Sequence, residues 1–108
     1  MDLTQKKCVA CESGMPPLTR DAAQALMKQL TGWTLSGDVR WISKEFKFED
    51  FTKAFGFAKK IADIAEDEGH HPDLQISWGK TTVELTTHNI KGLSENDFIL
   101  AAKIDKIA

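Results

Sequence analysis

A chain of 108 residues can bury one core but not two independent ones, so a single domain is expected. With 42% hydrophobic and 28% charged residues, the composition excludes a disordered or disulfide-built protein. Scattered Lys and Arg, 14 against 16 Asp and Glu, lack the basic stripe of a nucleic-acid binder, so no direct DNA or RNA binding is expected. The longest strongly apolar windows, such as Phe98 to Ala102, fall far short of a bilayer span, and residues 1–7 lead into no hydrophobic signal region. No membrane association and a cytoplasmic location are the expectations.

Residues 1–18 read as an N-terminal arm, because Met15-Pro16-Pro17-Leu18 contains two prolines that lack amide donors and forbid a regular helix. The arm carries Cys8 and Cys11, a lone CxxC. Zinc ribbons pair such a motif with a second one or with a downstream His pair, and redox motifs open a helix after a strand. Neither context is evident, so the pair reads as two ordinary thiols in a flexible arm, with metal or redox chemistry as the lesser alternative.

The domain is expected over residues 19–108. Ala23, Leu26, Met27 and Leu30 recur at helical spacing, with Thr19 as N-cap and Gly32 as a stop. Trp33 and Leu35 alternate with polar neighbours before Ser36-Gly37-Asp38, and Ile42, Phe46 and Phe48 keep the two-residue period through Lys44, which predicts a β-hairpin. Asp50 can cap a long helix whose apolar stripe comprises Phe51, Ala54, Phe55, Ala58, Ile61, Ala62 and Ala65, ending at Gly69. After Pro72 the alternation returns at Leu74, Ile76 and Trp78, turns at Gly79-Lys80, and continues at Val83 and Leu85 as a second hairpin. Ser94 and Asp97 have capping-box spacing for a last helix whose Phe98, Leu100, Ala101, Ala102, Ile104 and Ile107 cover a broad arc. The order αββαββα predicts an α+β fold: a four-stranded antiparallel sheet with three helices packed on one face. The broad arc suggests a helix partner from a second subunit.

Two of the three histidines, His70 and His71, stand between Gly69 and Pro72 at the end of the long helix. Glu66 is four residues before His70, within side-chain reach on a helix. Gly69 frees the chain from helical geometry and Pro72 forces His71 towards an extended conformation, so the two imidazoles should project differently. An imidazole titrates near neutrality and can give or take a proton there. The bland alternative is a solvated helix end, with His88 on the non-core face or just past a strand end, Asp97 only a cap and Glu66 only a surface charge. Metal ligation by these groups is disfavoured, since adjacent histidines are not the i, i+4 pair with which a helix clamps an ion.

The spacing as a whole is Glu66, three residues, His70-His71-Pro72, five residues, Trp78, nine residues, His88, eight residues, Asp97. It resembles the pterin-4a-carbinolamine dehydratases, and so do "GW" at 32–33, "FEDFTKAFGFA" at 48–58 and "KGLSENDFILAAKID" at 91–105. The resemblance runs from Thr19 onward, and the Cys8-Cys11 arm is similar to that of bacterial members. It implies the fold read above and a hydro-lyase that removes water from 4a-hydroxytetrahydropterin, in pterin recycling beside an aromatic amino acid hydroxylase. It implies no metal or organic cofactor, and a homodimer or homotetramer. By position it implies His70 and His88 as the acid–base pair around the 4a-hydroxyl and N5, with His71 holding the pterin. Glu66 would orient and charge-tune His70, Asp97 would support the His88 side, Trp33 or Trp78 would wall the pocket, and Pro72 would fix the corner. Animal members of that family also dimerise a homeodomain transcription factor, so a dimerisation or regulatory module is the alternative, with a metal-binding protein third.

Overall fold

The computed structural model describes residues 2–9 and 14–108. Helix α1 spans Arg20–Met27, with Thr19 accepting from the Ala22 amide as the capping expectation requires. It stops a turn earlier than the apolar spacing suggested, and Leu30 falls in the connection to strand β1, Thr34–Leu35. Strand β2, Ile42–Lys47, completes the first hairpin. Helix α2, Phe51–Glu68, is capped by Asp50 and ends at Gly69, whose φ of 69° is the left-handed conformation that glycine adopts without a Cβ clash. Strands β3, Asp73–Ser77, and β4, Lys80–Leu85, follow, turning at Trp78-Gly79, one residue earlier than expected. A single 3₁₀ turn, His88–Ile90, leads into helix α3, Glu95–Ile107.

The sheet order is β1-β2-β4-β3, antiparallel throughout. Its register pairs Ile42 with Leu85, Lys44 with Val83 and Phe46 with Thr81, while Leu74 and Ile76 stand opposite Val83 and Thr81. Cross-strand partners share a face, so these eight residues form the inner surface on which the helices pack. The other face carries Glu45, Lys47, Gln75 and Glu84 and stays polar. Phe57 of α2, which the apolar spacing did not single out, is buried between Phe46 and Phe48, at ring distances of 4.8 and 5.1 Å. Phe51 and Phe55, assigned to the buried stripe, stack on each other at the surface.

One charge lies on the inner face. Lys44 reaches past the Phe46 ring to the Thr31 carbonyl and Asp105 Oδ1, both at 2.8 Å, and Trp33 Nε1 donates to Asp105 Oδ2 at 3.0 Å. This partnering compensates the ammonium for leaving water.

Helix α3 is buried on almost every side, from Asn96 to Ala102 and at Ile104. Part of the broad arc that suggested a second subunit is covered from within the chain, by the N-terminal arm. Leu3, in a 3₁₀ turn at Leu3–Gln5, is 1% exposed within the core cluster. At its far end the arm is fixed by Leu18 N donating to Leu93 O and by Pro17 against Gly92, where an added Cβ would stand 2.6 Å from the proline ring. The described residues at both ends of the arm thus belong to the packed structure. We expect Leu3→Ala to destabilise the fold by about 2 to 3 kcal/mol; an unchanged urea midpoint would show that the arm does not contribute to the core.

Candidate active site

The end of α2 and the start of α3 meet at the histidine corner. Leaving the helix through left-handed Gly69 turns His70 inward, where its side chain is 11% exposed and its Nε2 lies 2.6 Å from Asp97 Oδ1. Asp97 is fully buried, and its Oδ2 accepts from Thr87 Oγ1 at 2.8 Å and from the Ser94 amide at 3.0 Å. With Oδ2 already accepting, Oδ1 is the natural acceptor for a proton on His70 Nε2, which fixes both the tautomer and the ring plane. Asp97 therefore combines the expected capping box with a second task that its spacing did not reveal.

Two expected pairings are corrected. Glu66 does not reach His70; its Oε2 lies 2.5 Å from His71 Nε2, because the chain past Gly69 carries His71 back over the last turn of α2. Asp97 supports His70 and not His88. His88 stands just past β4 in the 3₁₀ turn, 68% exposed, with Asp73 Oδ2 at 3.7 Å and the Trp41 ring edge-on at 6.0 Å. Asp73 and Trp41 were not anticipated. Both come from segments distant in sequence from His88, and only strand pairing brings them there.

All three imidazoles face one cleft of about 330 Å³, lined also by Val9, Gly69, Thr86, Thr87, Asn89 and Asn96. The tryptophans expected as walls are elsewhere. Trp33 is buried in the core with its indole nitrogen on Asp105, and Trp78 is 75% exposed on the β3–β4 turn, at the opposite end of that hairpin from His71. Pro72 fixes the chain between His71 and β3 but does not line the cleft. A second, smaller recess of about 230 Å³ shares Thr86 and His88 with the first and adds Arg40, Trp41 and Lys91.

Beneath the cleft, Glu68 Oε2 pairs with Lys103 Nζ at 2.6 Å and its Oε1 accepts from the Cys8 amide at 2.9 Å. Burial works to raise its pKa, but the Lys103 ammonium and the Cys8 N–H outweigh it and leave the carboxyl below its ordinary range. Burial, then the Glu68 carboxylate, pushes the Cys8 thiol up to about 12. Cys8 is thus partly buried and tied down, contrary to a flexible arm, while Cys11 lies outside the described residues. A thiol that keeps its proton at neutral pH is a poor nucleophile and a poor metal ligand. In a Cys11→Ser variant, iodoacetamide at pH 7 should modify Cys8 at least about tenfold more slowly in the folded protein than in urea; equal rates would contradict the burial argument. The stabilisation associated with the neutral thiol is complete below the ordinary pKa of 9.0 and is lost as pH climbs towards about 12.

Among the described residues, no three His, Cys, Asp or Glu side chains group so as to hold a metal ion, and no helix is long and apolar enough to cross a membrane. What the cleft offers is paired imidazoles: three rings on two chain segments, each beside a different carboxylate, in a small α+β fold. That is the equipment of a proton-transfer site.

The family model for pterin 4 alpha carbinolamine dehydratase matches residues 16–107. A relative from Methylococcus capsulatus bearing that dehydratase name is 46% identical over 106 residues, covering 98% of this chain and 93% of its own. Another from Rickettsia canadensis is 50% identical over 103 residues, covering 95% and 94%. A crystal structure of a transcriptional coactivator/pterin dehydratase from Brucella melitensis superposes with a TM-score of 0.79 at 35% identity, covering 85% of this chain and 98% of that one. A pterin dehydratase-like RuBisCO assembly factor of the alpha-carboxysome shares the fold alone, with a TM-score of 0.61 at 22% identity, covering 72% and 90%. The chain belongs to the pterin-4-alpha-carbinolamine dehydratase family, which is defined by a hydro-lyase activity.

Proposed function

We propose that this chain dehydrates 4a-hydroxytetrahydropterin to the quinonoid dihydropterin by histidine acid–base catalysis. The observation that carries the reading is the convergence of His70, His71 and His88 on one cleft. The reaction breaks the C4a–O bond and removes the N5 proton. One group must deliver a proton to the departing hydroxyl, which leaves as water, while another takes the proton from N5 as the C4a=N5 bond forms. His70 and His88 are the pair assigned to these steps. His70 is held by Asp97 through Nε2, which leaves Nδ1 for the substrate. His88, exposed at the mouth, can exchange its proton with solvent between turnovers. His71, steadied by Glu66, holds the pterin. Which of His70 and His88 acts as acid depends on the face of the ring that bears the hydroxyl.

Acid and base catalysis each supply about 10²- to 10⁴-fold, enough for a carbinolamine that already tends to lose water. The reading needs no metal or organic cofactor. It extends to a cytoplasmic role in pterin recycling for an aromatic amino acid hydroxylase, acting as a homodimer or homotetramer. The test is to generate the carbinolamine freshly and follow quinonoid dihydropterin by absorbance with and without protein. Acceleration over the spontaneous rate is expected, and its absence would reject the enzyme reading in favour of an interaction module.

A further inference from the structure

The matched family segment begins at residue 16, yet one wall of the cleft comes from before it. Val9 lines the cleft and is its one aliphatic side chain among the described residues. The side-chain amide of Asn96 holds it there. Asn96 Oδ1 accepts from the Val9 N–H at 3.0 Å, and Asn96 Nδ2 donates to the Val9 carbonyl at 2.5 Å, so one amide engages both backbone groups as a neighbouring strand would. The preceding residue is tied as well, Cys8 N to Glu68 and Cys8 Sγ to the Asn96 carbonyl at 3.6 Å. Further back, Lys6 pairs with Glu95 at 3.1 Å and Leu3 is buried in the core.

Each of these anchors is on α3 or on the last turn of α2, the two elements that set His70. Asn96 is adjacent in sequence to Asp97, which holds His70. The arm and the buried imidazole are therefore positioned by the same turn of α3, and both line the cleft. A flat heterocycle needs an apolar surface beside its polar partners, and among these lining groups Val9 supplies the aliphatic part.

We propose that the N-terminal arm is part of the substrate site: Val9 is a specificity-determining residue that contacts the pterin, and Asn96 is the positioning residue that clamps it. The assignment rests on the pterin reading above. Because the contact is made in bound substrate and transition state alike, its loss raises KM more than it lowers kcat.

Steady-state kinetics on the full-length chain with fresh 4a-carbinolamine test this, using Val9→Ala, which trims the contact, and Val9→Pro, which removes the N–H that Asn96 accepts. Both are expected to raise KM by about 3- to 10-fold with kcat within about twofold, a modest effect because Val9 is 71% exposed and a fully buried methylene is worth more. Trypsin cleavage after Lys6 and Lys7 should accelerate in Val9→Pro and not in Val9→Ala, which separates release of the arm from loss of the side chain. Wild-type KM in both variants, from a wild type that turns over the carbinolamine, would overturn the arm's role alone. A lower kcat at unchanged KM would also overturn it, marking the arm as merely structural. An inert wild type would overturn the pterin reading and this assignment with it.

Discussion

Replacing His70 by alanine is expected to lower kcat/KM for carbinolamine dehydration by about 10²-fold or more, with His88→Ala of similar size and the double variant lower still. The expectation follows from how differently the two rings are held. His70 is almost wholly enclosed and fixed through Nε2, so its ring is oriented in advance. His88 is open to solvent and only loosely associated with Asp73 at 3.7 Å. A site that must both give and take a proton has use for one oriented group and one that equilibrates with water. His71→Ala, which on the proposed roles removes a binding contact, should act chiefly on KM. Wild-type rates in both His70→Ala and His88→Ala would remove these imidazoles from the chemistry. A large effect of His71→Ala on kcat would require the roles to be redistributed.

Asp97→Ala should cost about 3 kcal/mol of folding free energy in urea denaturation, because it leaves Thr87, the Ser94 amide and His70 facing a buried gap. Asp97→Asn divides the two tasks of this residue. An amide oxygen can still accept from the Ser94 N–H and preserve much of the cap, so the stability loss should be smaller. The amide nitrogen, however, presents a donor to His70 Nε2 and favours the opposite tautomer, or turns the ring. We expect kcat to fall by about 10- to 100-fold in Asp97→Asn while the fold is retained, as for other residues that orient a reacting group. Equal activity of Asp97→Asn and wild type would mean that Asp97 only caps α3.

Much of this architecture was legible along the chain because it depends on local periodicity and punctuation. The two-residue alternation through Ile42–Phe46 and Leu74–Ile76 defines an inner face, Asp50 and Gly69 bound α2, and Ser94 with Asp97 opens α3. The histidine corner was legible for the same reason, since Gly69 and Pro72 bracket it in sequence. The pairings were not. An i, i+4 spacing favoured Glu66 with His70, but that rule holds only while the backbone stays helical, and it lapses where Gly69 takes a positive φ. Trp33 and Trp78 satisfied a spacing pattern without approaching the cleft, since one fills the core and the other tips a turn.

By itself the sequence determined the order of elements, the inward face of each strand and the residue types equipped for proton transfer, because each follows from neighbours a few positions away. Only the tertiary structure decided which carboxylate serves which imidazole, that Trp41 and Asp73 flank His88, and that the arm closes over α3 to bring Val9 to the cleft. Those contacts join residues up to 89 positions apart, as in Lys6 with Glu95, and arise from packing of the assembled core, on which no short-range pattern reports.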